Sequence, residues 1–278
     1  MIDIRNLSFH YHNGAEPVFN DVNLHIEKGE LVLIAGLTAS GKSTLLYLIN
    51  GLIPNIISGA ITGDIIVNGF KPCEKPLYEI SRIVGTVFQN VESQLFMPNV
   101  EDDVAFGCEN AGFEREYTMK QRDMAIESMD LAGLRYEETH RLSQGQKQRL
   151  AISSIYAMNP EIYLFDEPTA DLDEKGRARF LKIVKKLKYE GKTVIIAEHH
   201  IDLFLPVADR VILVDKKKLK ENTDVYRLLQ GDLISTRKKI NRNAVDIRFE
   251  DVRFSYGRNR FALDAIDLTI CKGEVVAI

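Results

Sequence analysis

The run Gly36-Leu37-Thr38-Ala39-Ser40-Gly41-Lys42-Ser43-Thr44 has the GxxxxGK[ST] spacing of a phosphate-binding loop. Its glycines let backbone N–H groups wrap phosphate oxygens, and the helix N-terminus after it adds partial positive charge. In that reading Lys42 reaches the β- and γ-phosphates and Ser43 ligates Mg²⁺. Further along, Ile162-Tyr163-Leu164-Phe165-Asp166-Glu167 places two carboxylates at the end of an apolar run. Ligands of open α/β sheets bind at such carboxyl ends of strands. There Asp166 can hold a hydrated Mg²⁺, and Glu167 can polarise an attacking water as general base. Ser143-Gln144-Gly145-Gln146 precedes a run carrying Lys147, Gln148 and Arg149. A serine placed so is an ordinary helix cap. The Ser143 hydroxyl and the backbone at Gly145 could equally face an anion.

These residues need a scaffold of strands and helices. Leu31 to Ala35, Ile162 to Phe165 and Val194 to Ala197 are short, continuous apolar runs, as buried parallel strands are. Val211 to Val214 reads as a further strand. Helices are expected from Lys42 to about Asn50 and from Glu174 to Tyr189. The stretch from about Asn90 to Asn159 reads as mostly helical, broken at Gly112 and Gly133. The alternating start, with Leu24 and Ile26, predicts a small antiparallel sheet. Gly63 to Val67 followed by Asn68-Gly69 predicts a strand entering a hairpin turn. Strands alternating with helices mean an α/β core with a parallel sheet.

Composition narrows the function class. With 36 Lys plus Arg against 40 Asp plus Glu, the formal net charge is -4. A general nucleic-acid binder is usually basic, so no nucleic-acid partner is expected. No apolar run approaches the roughly 18 residues of a membrane helix, and no signal peptide is expected at the start. The three cysteines, Cys73, Cys108 and Cys271, lack CxxC spacing, which fits a reducing compartment and gives no zinc site.

The opening of the chain recurs near its end. Ile4-Arg5-Asn6-Leu7-Ser8-Phe9-His10-Tyr11 matches Phe249-Glu250-Asp251-Val252-Arg253-Phe254-Ser255-Tyr256, and Val22 to Val32 matches Ile266 to Val276. Gly29 pairs with Gly273. The expectation is one whole domain over 1–235, a short polar linker over 236–244, and the first strands of a second copy over 245–278, within a longer natural protein.

Taken together, the phosphate loop, the Asp-Glu strand end and Leu142-Ser143-Gln144-Gly145-Gln146 resemble the ATP-binding cassette (ABC) family. The family's signature usually reads Leu-Ser-Gly-Gly-Gln, and Gln144 stands here where the first Gly belongs. The resemblance implies a P-loop NTPase fold: a RecA-like α/β core with an antiparallel β-subdomain and a helical subdomain. It implies ATP and Mg²⁺ as cofactors, with Gly36 to Thr44 around the phosphates. It also implies further roles. Tyr11 corresponds to the aromatic that stacks on adenine. Gln89 fits the Q-loop glutamine that approaches Mg²⁺ and the attacking water. Asp171, in Thr169-Ala170-Asp171-Leu172-Asp173, fits the D-loop that reaches across a domain interface. His199 fits the switch histidine on the γ-phosphate, with His200 as its positional rival. A metal pair at 199 and 200 is disfavoured, because adjacent residues on a strand point to opposite faces.

In this family the phosphate loop of one domain faces the signature of another, so Ser143, Gln144, Gly145 and Gln146 serve a partner's site. That partner is a second cassette in the same chain or a second copy. Gln94 to Gly107 and Ala197 to Asp202 resemble energy-coupling factor (ECF) importers of vitamins and metal ions such as cobalt and nickel. This implies integral membrane subunits as partners and a peripheral place on the cytoplasmic face of the membrane. Leu95, Phe96, Val100, Val104 and Phe106 either grip an amphipathic helix of such a subunit or form the core of the helical subdomain. Soluble tandem-cassette ATPases acting on ribosomes are the alternative. Chromosome and repair ATPases fit poorly, because no heptads lie between Gln89 and Ser143.

Overall fold

The computed structural model describes residues 2–12, 14, 16–199, 201–221, 245–255 and 261–271. The expected linker over 236–244 and His200 lie outside the described residues. The chain divides into two units, Met1–Leu229 and Gln230–Ile278.

In the first unit, β3 (Leu31–Ala35) is apolar at every position because both its faces are covered. Leu31, Leu33 and Ala35 face a core shared with Phe165, Phe180 and Leu150. Val32 and Ile34 face a second core with Ile4, Leu7, Leu45 and Ile195. The same alternation runs through β6 (Ile162–Asp166) and β7 (Thr193–Ala197), whose residues are all buried. With β5 (Val84–Val87), β8 (Arg210–Asp215) and β9 (Lys218–Glu221) they form a six-stranded sheet in the order β5-β6-β7-β3-β8-β9. All neighbours run parallel except β8 and β9.

The expected antiparallel sheet is also present, in the order β2-β1-β4. It joins β1 (Ile2–Tyr11), β2 (Phe19–Ile26) and β4 (Gly59–Val67). Here two expectations need correction. Strand β4 begins at Gly59, not Gly63. Gly63 sits inside it opposite an irregularity in β1, at φ +88, where a Cβ would meet the Arg5 carbonyl oxygen at 2.4 Å. The Asn68-Gly69 turn forms, with Asn68 at φ 47 and Gly69 at φ 86. Yet only an isolated Val67–Phe70 bridge comes after it. Pro72 and Pro76, which lack the N–H a ladder needs, stand where a second strand would run.

Helix α1 (Lys42–Ile49) follows the phosphate loop, and the short α2 (Leu52–Asn55) and α3 (Leu77–Ser81) flank β4 and β5. The helical region holds α4 (Val100–Asn110), α5 (Arg115–Ser128) and α6 (Gln144–Met158). Helix α7 (Glu174–Tyr189) starts at an Asp173 cap, and its Phe180, Ile183, Val184 and Leu187 are buried at helical spacing. No helix among the described residues is long and apolar enough to cross a membrane.

In the second unit, β10 (Val245–Ser255) pairs antiparallel with β11 (Phe261–Cys271). The sequence repeat is a structural one. Asn6 and Asp21 have φ 49 and 49, and their counterparts Asp251 and Ala265 have φ 45 and 51. The Asn6 amide donates to Asn23 Oδ1 at 2.8 Å, and the Asp251 amide donates to Asp267 Oδ1 at 2.8 Å. Both hairpins shift register at that point.

Candidate active site

Parallel register aligns the strand ends. Ala197 is opposite both Ile34 and Asp166, so β3, β7 and β6 finish at one edge of the sheet. The chain leaves β3 into the Gly36–Gly41 loop and enters α1 at Lys42. Two glycines are demanded sterically. At Gly36 a Cβ would lie 2.7 Å from the Val214 carbonyl oxygen. Gly41 has φ +109, and a Cβ there would lie 2.8 Å from Val18 Cγ1. The first turn of α1 leaves the amides of Lys42, Ser43 and Thr44 without intrahelical acceptors. The helix dipole adds to their pull on an anion.

Lys42 is buried and donates to the Gly36 and Leu37 carbonyl oxygens at 2.9 and 3.2 Å. Burial pulls its ammonium below the ordinary lysine range, against Glu167, Asp166 and Glu198, which favour the charge. Asp166 is fully buried, and neither of its oxygens has a hydrogen-bond partner of normal geometry. Burial pushes its carboxyl above the ordinary aspartate range, the Ser43 hydroxyl draws it down, and the Glu167 charge pushes it up again.

A buried, unpartnered carboxylate facing a hydroxyl is costly unless something positive meets it. That chemistry fits a divalent cation. No cluster of three or more His, Cys, Asp or Glu that could hold a metal occurs among the described residues. A cation held by Asp166 and Ser43 would therefore take most of its oxygens from phosphate and water, as Mg²⁺ does.

Glu167 occupies a positive φ of 48°, and its amide donates to the Ala197 carbonyl oxygen at 2.8 Å. That strained turn lifts its side chain out of the sheet, where two groups meet it. Gln89 Nε2 donates to Glu167 Oε2 at 3.0 Å. His199 Nε2 lies 2.8 Å from Glu167 Oε1 and 3.2 Å from Lys42 Nζ. Carrying a proton, that nitrogen donates to Glu167; without one, it accepts from Lys42. His199 stands two residues beyond the end of β7, so strand alternation does not govern its direction. At the far side of the loop, Tyr11 Oη and Thr44 Oγ1 are 2.8 Å apart, and the Tyr11 ring meets Phe9 edge-on at 4.9 Å.

The signature-like run is elsewhere, at the start of α6. The helix begins at Gln144 rather than after Gln146. Ser143 is its N-cap: its Oγ accepts from the Gln146 amide at 3.4 Å, while Gln146 Oε1 accepts from the Ser143 amide at 2.8 Å. Gln144 Nε2 donates to Glu92 Oε1 at 3.2 Å, and Lys147 pairs with the same oxygen. Glu92 lies just after Gln89, so this contact ties the signature corner to the Gln89 loop.

Three contacts around Asp171 escape sequence reading. A Cβ on Gly145 would lie 2.6 Å from the Asp171 carbonyl oxygen. The buried Gln148 donates to the Pro168 carbonyl oxygen at 3.1 Å. Thr169 donates its hydroxyl to the buried Glu198. One signal could have flagged Glu198: an acid at the end of an apolar strand, the same mark that singled out Asp166.

Comparison with known proteins gives a consistent result. Residues 19–170, more than half of the chain, match the ABC transporter family. A Treponema denticola protein named as an ABC transporter ATP-binding protein is 37% identical over 99% of this chain. The chain spans 57% of that relative's length. A dimeric ATP-binding cassette in a post-hydrolysis state, bound to ADP and Pi, is similar in structure. Its TM-score is 0.70 at 27% identity, over 80% of this chain and 98% of that one. The cbiO1 protein of Clostridium perfringens, described as part of the ABC transporter complex cbiONQ, has a TM-score of 0.68 at 30% identity. It covers 84% of this chain and 95% of its own. The chain belongs to the ABC transporter family of ATP-binding cassettes, a family of ATP-hydrolysing domains with the P-loop fold seen here.

Proposed function

We propose that this chain hydrolyses ATP to drive an importer of the energy-coupling factor kind, which takes up a vitamin or a transition-metal ion through separate membrane subunits. The observation that carries the catalytic part is the Asp166–Glu167 pair. One carboxylate is buried without a partner beside Ser43, and the other is gripped by Gln89 and His199 next to Lys42. Mg²⁺ held by Ser43, Asp166 and Gln89 would neutralise phosphate charge. The loop amides from Gly36 to Thr44 and the Lys42 ammonium bind and orient the phosphates. Tyr11, hydrogen-bonded to Thr44, would stack on the adenine ring. Glu167 positions the attacking water and takes its proton, and His199 holds the γ-phosphate end of the site. Positioning and charge therefore dominate the rate.

Ser143, Gln144, Gly145 and Gln146 would complete the site of a second cassette, and Asp171 would reach across to it. The matching bulge in the β10–β11 hairpin supports a second cassette in the same polypeptide; a second copy of the chain is the other source. The membrane part rests on an apolar cavity of about 440 Å³ in the helical region. It is lined by Phe88, Phe96, Phe106, Ile155 and Met158 and suits an amphipathic helix of a membrane subunit. Phe96 is 69% exposed there, while Val100 and Val104 are core. The chain would then sit on the cytoplasmic face of the membrane.

The test has two arms. The purified chain should hydrolyse MgATP slowly when dilute and faster per molecule as its concentration rises and copies pair; no hydrolysis at any concentration ends the catalytic reading. In cells it should sediment with membranes only when an integral importer subunit is co-expressed. Sedimentation with ribosomes instead would favour a soluble tandem-cassette ATPase.

A further inference from the structure

Glu198 has no part in the catalytic scheme, yet among the described residues it is one of the most buried charged ones, at 3% exposure. It stands one residue past β7, and its amide donates to the Ile34 carbonyl oxygen at 3.1 Å, at the end of the strand that enters the phosphate loop. Its two oxygens serve two different loops. Oε1 accepts the Thr169 hydroxyl, and Oε2 accepts the His199 backbone amide at 3.1 Å. A buried carboxylate is retained only when its acceptor sites are filled with good geometry. Here two of the groups that fill them belong to the loop carrying Asp171 and the loop carrying His199.

The Asp171 loop is fixed on its other side as well. Gln148 holds the Pro168 carbonyl, and Gly145 lies against the Asp171 carbonyl. A continuous set of contacts thus runs from His199 through Glu198 and Thr169 to the start of α6, where Ser143 sits. Each link is a hydrogen bond or a close backbone approach within the first unit.

We propose that Glu198 is a positioning residue that locks the Asp171 loop to the His199 loop and so sets the placement of His199 beside this chain's own phosphate loop. Only the kinetic half of its test rests on the proposed hydrolysis of ATP. Glu198 makes no hydrogen bond to Lys42 or Glu167; beyond the charge that Lys42 and Asp166 feel, it acts through Thr169 and the His199 backbone. Removing the Thr169 bond unties the two loops from each other, because one carboxylate joins the two donors.

Thr169→Val is nearly isosteric and removes only the hydroxyl, and Thr169→Ser restores it. In the full chain without nucleotide, Thr169→Val should speed hydrogen exchange about ten-fold at the amides of Ala170, Leu172 and His199 together. Each 1.4 kcal/mol of lost protection is a factor of ten. Thr169→Ser should leave all three within two-fold of the native chain. In steady-state MgATP hydrolysis, Thr169→Val should lower kcat about ten-fold with KM within two-fold. The Thr169→Val/Glu198→Gln double variant should fall no further than Glu198→Gln alone. Faster exchange confined to 170–172, a serine variant as defective as the valine one, or multiplied losses in the double variant would each overturn the proposal. Coupled exchange in a chain that never hydrolyses ATP would sink the catalytic reading and leave this one standing. Hydrolysis without coupled exchange would do the reverse.

Discussion

Asp166 and Ser143 mark two corners of the same unit, each at the end of a regular element, and they are built on opposite terms. At the strand-end corner Lys42 and Asp166 are buried, and Glu167 is held between Gln89 and His199. Charges there are felt at low dielectric, so their positions are worth much and solvent screens them little. At the helix-start corner Ser143, Gln144 and Asp171 are exposed. Their hydrogen bonds cap a helix or join an exposed Glu92, interactions of ordinary surface strength. The first corner has its charged groups in mutual contact before anything arrives. The second is an exposed surface, which on the proposed reading a second cassette completes. Substitutions should therefore separate the two corners by size and by kind of effect.

The largest effect belongs to Glu167→Gln. The amide keeps the shape and can still meet His199, but it cannot take a proton from water. General-base removal typically costs a factor of about 10² to 10⁴. kcat should fall at least about 100-fold while the dissociation constant for MgATP changes little. Single-turnover hydrolysis and equilibrium nucleotide binding separate the two. Weakened binding with unchanged turnover would mean that Glu167 belongs to the binding apparatus, and the contrast between the corners would blur.

Ser143→Ala comes next and tests the other corner. It removes the acceptor for the Gln146 amide, which typically costs about 1 kcal/mol of stability. Urea denaturation reads that directly. If the corner completes a partner's site, hydrolysis should also fall, and most at low protein concentration where association limits the rate. A loss of stability with hydrolysis unchanged at every concentration would make Ser143 a cap and no more.

The two corners were also unequally legible from the sequence. Phosphate loop, acid pair and α7 are local patterns: a glycine spacing, an apolar run with an acid at its end, a helical stretch from Glu174 to Tyr189 between two apolar strands. Each is written within about twenty residues, and the strands and helices that carry them lie where expected. Contacts that join distant residues left no such mark. Glu92 and Gln144 are 52 residues apart, and Thr169 and Glu198 are 29 apart; only the fold makes them neighbours. Strand β9 went unnoticed because Lys218, Lys220 and Glu221 read as a charged loop. Such residues protect an exposed sheet edge, and Lys216 and Lys217 turn the chain back with φ 45 and 66. The Asn68-Gly69 turn was legible and its continuation was not, because a turn motif fixes two residues and leaves the course of the next segment open.

The smallest expected effect is at Glu92, and its sign can be worked out. The hydrogen bond from Lys147 holds the Glu92 carboxyl below the ordinary glutamate range; the Lys147 charge and the Gln144 amide add to this. A carboxylate depressed in the folded state contributes stability above its unfolded pKa and loses it as pH falls through the folded value. The link between the Gln89 loop and α6 should therefore be intact at neutral pH. It should release only below the usual carboxylate range. Because Glu92 is exposed, added salt should weaken it at neutral pH too. Glu92→Gln should leave the denaturation midpoint almost unmoved and abolish the salt dependence of hydrogen exchange at residues 144–147. Gln144→Gly should keep the Lys147 pair and most of that salt dependence. If Glu92→Gln instead reduced hydrolysis as far as Ser143→Ala does, the helix-start corner would share the tight coupling of the strand-end corner, and the difference between them would be one of exposure alone.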